Sequence, residues 1–214
     1  MIPSCEAIDP SIIIYQEGGV LAVNKPAGIA TRGDSRFPIG LRERLVETIG
    51  LDIYPVHRLD VVATGVLVYS ASRNTRRNLC AQFFNREVEK IYLAIVEGAI
   101  PLSEWENNMP VDKKPAHTFF KSLKQLRGPN RRIYTLVEAR PTTGRRRQIR
   151  KHLAGEGHPI AGDYDHGAHR KFAPIERPLL HALQLNCTNP ETSAPLLLQV
   201  APPEDFNQFT EISL

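Results

Sequence analysis

The chain has 214 residues, of which 42% are hydrophobic and 23% charged, and its formal charge is +4. That length can bury roughly 70% of the surface an unfolded chain exposes, so a core without disulfide staples is feasible, and the composition is that of an ordinary globular protein. Cys5, Cys80 and Cys187 are odd in number and far apart, which excludes a disulfide framework or a CxxC zinc site and points to a reduced, cytoplasmic compartment. The N-terminus has no basic segment followed by an apolar one, and no apolar run approaches the ~20 residues that span a bilayer.

In chain order, SIIIYQEGGVLAVNKPAG (11–28) predicts two strands. Ile12–Tyr15 is β-branched and aromatic, Gly18-Gly19 punctuates, Val20–Val23 is apolar again, and Asn24-Lys25-Pro26 ends the pairing, because proline cannot donate to a ladder. In GLRERLVETI (40–49), Leu41, Leu45, Val46 and Ile49 share one helical face. VHRLDVVATGVLVYS (56–70) places a charged cluster before an apolar run that reads as a core strand. The next segment, 70–90, predicts a basic amphipathic helix with Leu79, Phe83 and Phe84 on its apolar side, Arg73, Arg76 and Arg77 on its wet side, and Ser72 or Asn74 as the cap.

IYLAIVEG (91–98) is a strand ending at Gly98, and residues 99–115 are a polar connection holding Trp105. HTFFKSLKQL and RRIYTLVEARP predict two strands joined at Gly128-Pro129-Asn130. TTGRRRQIRKHLAGEG reads as one helix, preceded by Thr142 or Thr143 and ended by Gly155 and Gly157. GHPIAGDYDHGAHRKFAP is a long loop, and LLHALQLNC and PLLLQVAPP are two last strands joined at Asn189-Pro190. Strands with two or three helices inserted, and no regular βαβ alternation, predict an α+β fold: a mainly antiparallel mixed sheet with a few packed helices, in one domain over 1–214.

Three groups of residues could carry chemistry. In His57-Arg58-Leu59-Asp60, a carboxylate beside Val61, Val62 and Ala63 needs a cation from elsewhere to stay ionised, since burial alone raises its pKa. GRRRQIRKH (144–152) holds four arginines in nine residues. Helical spacing puts Arg146 and Arg150 on one face with Arg147 beside them, and Ile149 and Leu153 on an apolar face. An arginine fork pairs bidentately with carboxylate or phosphate. Tyr92, at the head of its strand, shares a face with Ala94 and Val96 and could be a core tyrosine or a ring on which a planar group stacks. A carboxylate, an arginine, an aromatic platform and basic surface together suggest an enzyme that acts on RNA.

Motifs in the same order resemble those of the RluA-type pseudouridine synthases: VLAVNKPAG, HRLD followed by TG, EKIYLAIVEG, GRRRQIRKHLAGEGHPIAGD, LLHALQL and APPEDF. Ala63-Thr64-Gly65 stands where that family usually has Thr-Ser-Gly, and Arg147 where it usually has His. The resemblance implies isomerisation of uridine to pseudouridine in tRNA or rRNA stem-loops, with the TruC-type branch, which acts on tRNA, the more similar. It implies no metal or cofactor; no room is expected for the small N-terminal RNA-binding domain that some family members carry, and a monomer without a membrane partner is expected.

Carried over residue by residue, the resemblance makes Asp60 the catalytic carboxylate and Arg150 the partner that keeps it ionised. Tyr92 stacks on the flipped uracil and Arg58 fills the gap left in the RNA. His57, Arg145, Arg146, Arg147, Arg73, Arg76 and Arg77 are expected to contact RNA, and Ile149 and Leu180 to line the pocket. The alternative is a catalytically impaired RNA-binding protein of the same fold, motivated by the departures at Ala63-Thr64 and Arg147. A metal hydrolase using His158, Asp163, His166 and His169 has no recognised ligand spacing behind it; packing roles are expected for His158 and His181.

Overall fold

In the computed structural model the described residues are 6–129, 131–169 and 175–212. Cys5, the turn residue Asn130 and the loop residues Arg170–Pro174 lie outside them. The first elements are β1 (Ile13–Glu17), β2 (Val20–Lys25), α1 (Leu41–Ile49), β3 (Tyr54–Pro55), β4 (Thr64–Ser70) and α2 (Arg73–Phe84). They are followed by β5 (Glu89–Glu97), β6 (Glu104–Asn107), β7 (Thr118–Arg127), β8 (Ile133–Pro141) and α3 (Gln148–Gly155). Last come β9 (Leu180–Thr188), β10 (Pro195–Gln199) and β11 (Thr210–Glu211). This is the expected α+β arrangement, mainly antiparallel. The chain divides into two compact units, one built from residues up to Glu89 with Gln184–Val200, the other from Lys90–Leu183 with the segment from Ala201 onward.

In the first unit β1 and β2 form a hairpin in which Glu17 pairs with Val20. Its two linking residues, Gly18 and Gly19, have φ of 58° and 71°, the two positive values that a tight hairpin turn matching strand twist requires. β2 pairs antiparallel with β4 over Val20↔Ser70 to Lys25↔Gly65. The pairing therefore runs to Lys25, two residues beyond the expected end, and stops where Pro26 has no donor. All seven residues of β4 are buried, because both faces are covered. Val20, Ala22, Val66 and Val68 pack with Leu79, Val88, Leu185, Cys187, Leu198 and Val200. On the alternate positions Leu21, Val23, Leu67 and Tyr69 are at most 2% exposed, as are Leu41, Leu45 and Ile53. Each such side chain contributes about 1.5–3 kcal/mol on burial.

α2 begins where expected, with the Ser72 hydroxyl accepting from Thr75 N. Its buried side differs from the sequence reading. Thr75, Leu79 and Gln82 are buried, Phe83 packs on the core, and Phe84 is 87% exposed. At 100° per residue Phe83 and Phe84 cannot both face inward, and Gln82 takes the place by exchanging two hydrogen bonds with the Thr188 backbone.

In the second unit β5 pairs with β8 and β8 with β7, all antiparallel, and β6 and β11 both pair antiparallel with β7. β6 falls inside the stretch read as connection. Its Glu-Trp-Glu-Asn sequence offers one apolar residue, and it is held by register with Thr118–Lys121 and by stacking of Trp105 on Phe120 at 5.3 Å. α3 is shorter than expected. It starts at Gln148, because Arg147 takes a left-handed φ of 58° and breaks the helical path through the arginine run.

Candidate active site

The loop carrying Asp60 is stapled from three sides within the first unit. Leu59 is 6% exposed; its N–H donates to the Thr31 hydroxyl at 3.2 Å, and that hydroxyl donates back to the Leu59 carbonyl at 3.3 Å. After Asp60 the chain turns, with Ala63 N donating to the Asp60 carbonyl and Gly28 N to the Val61 carbonyl. The Lys25 Nζ closes the turn. It donates to the carbonyls of Pro26 (2.8 Å), Val61 (3.2 Å) and Ala63 (2.9 Å). Lys25 has no exposed surface, and a buried ammonium is tolerated only when its donors are used. The NKPAG segment is thus a clamp on the loop after HRLD. Asp60 itself is half-buried and Arg58 exposed.

His57 is half-buried and engaged within the fold. Its Nε2 accepts from Val68 N at 3.1 Å, and its ring stacks on Phe83 at 4.9 Å. An Nε2 that accepts from an amide carries no proton, so the neutral ring holds its hydrogen on Nδ1. Arg73, Arg76 and Arg77 are all exposed along α2, and the Arg76 guanidinium lies 5.4 Å over the Tyr54 ring.

In the second unit the Gln-Ile-Arg segment opens α3, and each residue has its own task. Gln148, 4% exposed, ties the start of the helix to its surroundings: its Oε1 accepts from Thr143 Oγ1 and Arg145 N, and its Nε2 donates to the His117 carbonyl and Thr118 Oγ1. Ile149 is buried, as is Leu180 on β9. Arg150, only 3% exposed, grips Asp163 bidentately, Nε to Oδ2 at 2.7 Å and Nη2 to Oδ1 at 2.6 Å. His166 Nδ1 lies 3.0 Å from the same Oδ1. Burial works against charge on Asp163, but the hydrogen bonds from Arg150 and His166 outweigh it and hold the carboxyl below its ordinary range.

Tyr92 is half-buried on β5, opposite Ala139. Arg145, Arg146 and Arg147 precede the helix instead of sharing a face with Arg150. Arg145 donates to the Pro115 carbonyl, Arg146 is exposed and Arg147 occupies the left-handed cap position. His152 is buried between Thr118 Oγ1 and the Met109 carbonyl, and burial lowers its pKa. His158 is bonded to the Glu97 carbonyl, and His181 is fully buried beside Phe206.

Lys25, Thr31 and Gln148 carry no site signal in the sequence, and Asp163 and His166 enter it only as candidate ligands of a metal hydrolase. Asp163 had one usable signal: an arginine in an apolar-faced helix that reaches the core requires a buried carboxylate partner. Among the described residues no group of three or more His, Cys, Asp or Glu could hold a metal ion, and no helix is long and apolar enough to cross a membrane.

Residues 19–155 match the family of RNA pseudouridylate synthases. The tRNA pseudouridine synthase C of Vibrio cholerae serotype O1 is 34% identical over 87% of this chain and 89% of its own length. The ribosomal large subunit pseudouridine synthase C of Vibrio vulnificus is 35% identical over 86% of this chain and 64% of its own length. The fold matches the solved structure of Human RNA Pseudouridylate Synthase Domain Containing 1 with a TM-score of 0.78, covering 94% of this chain and 89% of that one at 24% identity. The chain belongs to the RNA pseudouridylate synthase family. Its reaction class is therefore that of an RNA pseudouridine synthase, an isomerase.

Proposed function

We propose that this chain isomerises uridine to pseudouridine in structured RNA, with tRNA favoured over rRNA, by flipping the base out of its stack and using Asp60 as the catalytic carboxylate. The observation that carries this reading is the clamp on the HRLD loop: one buried lysine, anchored on the Pro26 carbonyl, holds the carbonyls of Val61 and Ala63 in the turn that follows Asp60. A loop so held keeps a side chain in one place at low reorganisation cost, which is what a reacting carboxylate needs.

The reaction breaks the C1′–N1 bond, turns the uracil and forms a C1′–C5 bond, with the C5 hydrogen leaving as a proton and N1 gaining one. The glycosidic carbon is out of reach inside a helix, so the cost of unstacking must be offset. Tyr92 offers a ring for the flipped uracil, and Arg58, exposed next to Asp60 in sequence, offers a side chain for the vacated stack. Arg150 supplies a fixed positive charge. Arg73, Arg76, Arg77, Arg145, Arg146 and Arg147 bind phosphate.

Both tRNA and rRNA enzymes occur among the relatives by name; the coverage of the Vibrio cholerae tRNA enzyme, 89% of its length, supports tRNA. A monomer acting in the cytoplasm is part of the same proposal. Incubating the protein with unmodified tRNA and rRNA transcripts and mapping pseudouridine by carbodiimide adducts tests the choice of substrate. Adducts in tRNA alone support it, and adducts confined to rRNA oppose it.

A further inference from the structure

Asp163 receives more hydrogen bonds than pairing alone explains. Its carboxylate is 1% exposed and takes both arms of Arg150, from Nε at 2.7 Å and from Nη2 at 2.6 Å. A third bond joins Oδ1 to His166 Nδ1 at 3.0 Å. An ionised carboxylate only accepts, so His166 Nδ1 carries the hydrogen and donates. The guanidinium is planar, and two parallel bonds to one carboxylate fix that plane. The bond from His166 in turn fixes the rotation of the carboxylate.

His166 reaches Asp163 because of the local chain. Tyr164–His166 forms a 3-10 turn that ends at Gly167 with φ of 100°, and the Asp163 carbonyl accepts from both His166 N and Ala168 N. The turn is built around the aspartate. Asp165, 67% exposed and 3.9 Å from Arg150 Nη2, adds only a screened second charge.

We infer that Asp163 and His166 are positioning residues for the isomerisation: Asp163 sets the plane of the Arg150 guanidinium, and His166 sets the rotation of Asp163. The inference rests on the proposed catalytic role of Arg150. An arginine whose fork is fixed from behind presents its remaining edge in one direction. Loosening either support lets that edge wander, which lowers the chemical step while leaving RNA binding, made elsewhere, nearly intact.

The test is single-turnover pseudouridine formation with the full chain. Asp163→Asn is expected to lower the rate constant at saturating RNA by at least about tenfold with RNA Kd changed less than about twofold. Because Asp163→Asn disrupts a buried ion pair and could unfold the protein, His166→Ala provides the second arm: a fall of about threefold to tenfold, again with Kd unchanged. His166→Asn, whose amide N–H can stand where Nδ1–H stood, is expected to restore most of the rate. In an Arg150→Lys background, which has no fork to orient, His166→Ala is expected to have no further effect. If Arg150→Lys alone keeps wild-type rates, the catalytic reading of Arg150 fails and this inference with it. If Arg150→Lys is impaired but His166→Ala, and Asp163→Asn where folded, keep wild-type rates, the positioning role alone is overturned. Equal losses for His166→Ala in both backgrounds also overturn it.

Discussion

The Lys25 ammonium donates to the carbonyls of Val61 and Ala63, thirty-six and thirty-eight residues away. It thereby fastens the end of β2 to the turn that follows Asp60. Lys25 has no exposed surface, so its removal takes a buried donor from the Pro26 and Ala63 carbonyls, while the Val61 carbonyl keeps the bond from Gly28 N.

Lys25→Met is expected to destabilise the protein by about 2–4 kcal/mol, since each buried acceptor left unsatisfied costs about 1–3 kcal/mol and methionine recovers only the packing of the stem. Urea unfolding checks the stability. At a temperature where the variant is folded, its pseudouridine-forming rate is expected to fall as well, because the loop around Asp60 is no longer held.

His57→Ala is expected to act on stability more than on RNA. The ring is engaged by Val68 N and Phe83, so its loss is expected to cost about 1–2 kcal/mol through a lost bond and lost stacking. RNA affinity measured by filter binding is expected to stay within about twofold. A large loss of affinity with unchanged stability would return His57 to the RNA-contacting set.

Acid should weaken the fold in two stages. His152 has a lowered pKa, chiefly from burial. On acidification the unfolded chain therefore takes up a proton near 6.5, the ordinary histidine value, before the folded protein does. Stability from this group is complete above that pH and declines as pH falls toward the folded value. Asp163 is also depressed, against its burial, by Arg150 and His166. Its contribution is complete above the ordinary carboxylate value and is lost at still lower pH. Melting curves at stepped pH are expected to show both declines, and His152→Gln is expected to flatten the first and spare the second.

Affinity for RNA is expected to fall steeply with salt, because exposed arginines on α2 release counterions when they meet phosphate. Replacing Arg73 and Arg77 together by glutamine is expected to reduce the slope of log K against log salt by about 1.5 in magnitude. An unchanged slope would place phosphate contacts elsewhere on the chain.

Much of this was legible in the sequence where a period or a cap was strong. α1 shows its 3.6-residue stripe, Gly18-Gly19 marks a tight hairpin, and Ser72 caps α2. What the sequence hides is a specific partner or backbone angle that no period announces. β6 has almost no apolar signal and exists because β7 offers it a register. The arginine run looks like unbroken helix until Arg147 turns left-handed and Gln148 is captured by Thr143 and Arg145. The sequence places Lys25 only in the break after the strand; it ends β2 itself, and the carbonyls its ammonium serves are 36 and 38 residues downstream. Asp163 does lie in the expected loop, but its bidentate pairing with Arg150, thirteen positions earlier, has no period or spacing to announce it.

The central claim is that Asp60 drives the exchange of the C1′–N1 bond for a C1′–C5 bond, and release of tritium from RNA labelled at uracil C5 measures it most directly. Wild-type protein is expected to release tritium from tRNA, while Asp60→Asn, folded and binding RNA with similar affinity, is expected to release it at least about a thousandfold more slowly. Release by Asp60→Asn at the wild-type rate would contradict the account. RNA binding with no release by the wild type would contradict it too, and would mark the chain as a binding protein on this fold.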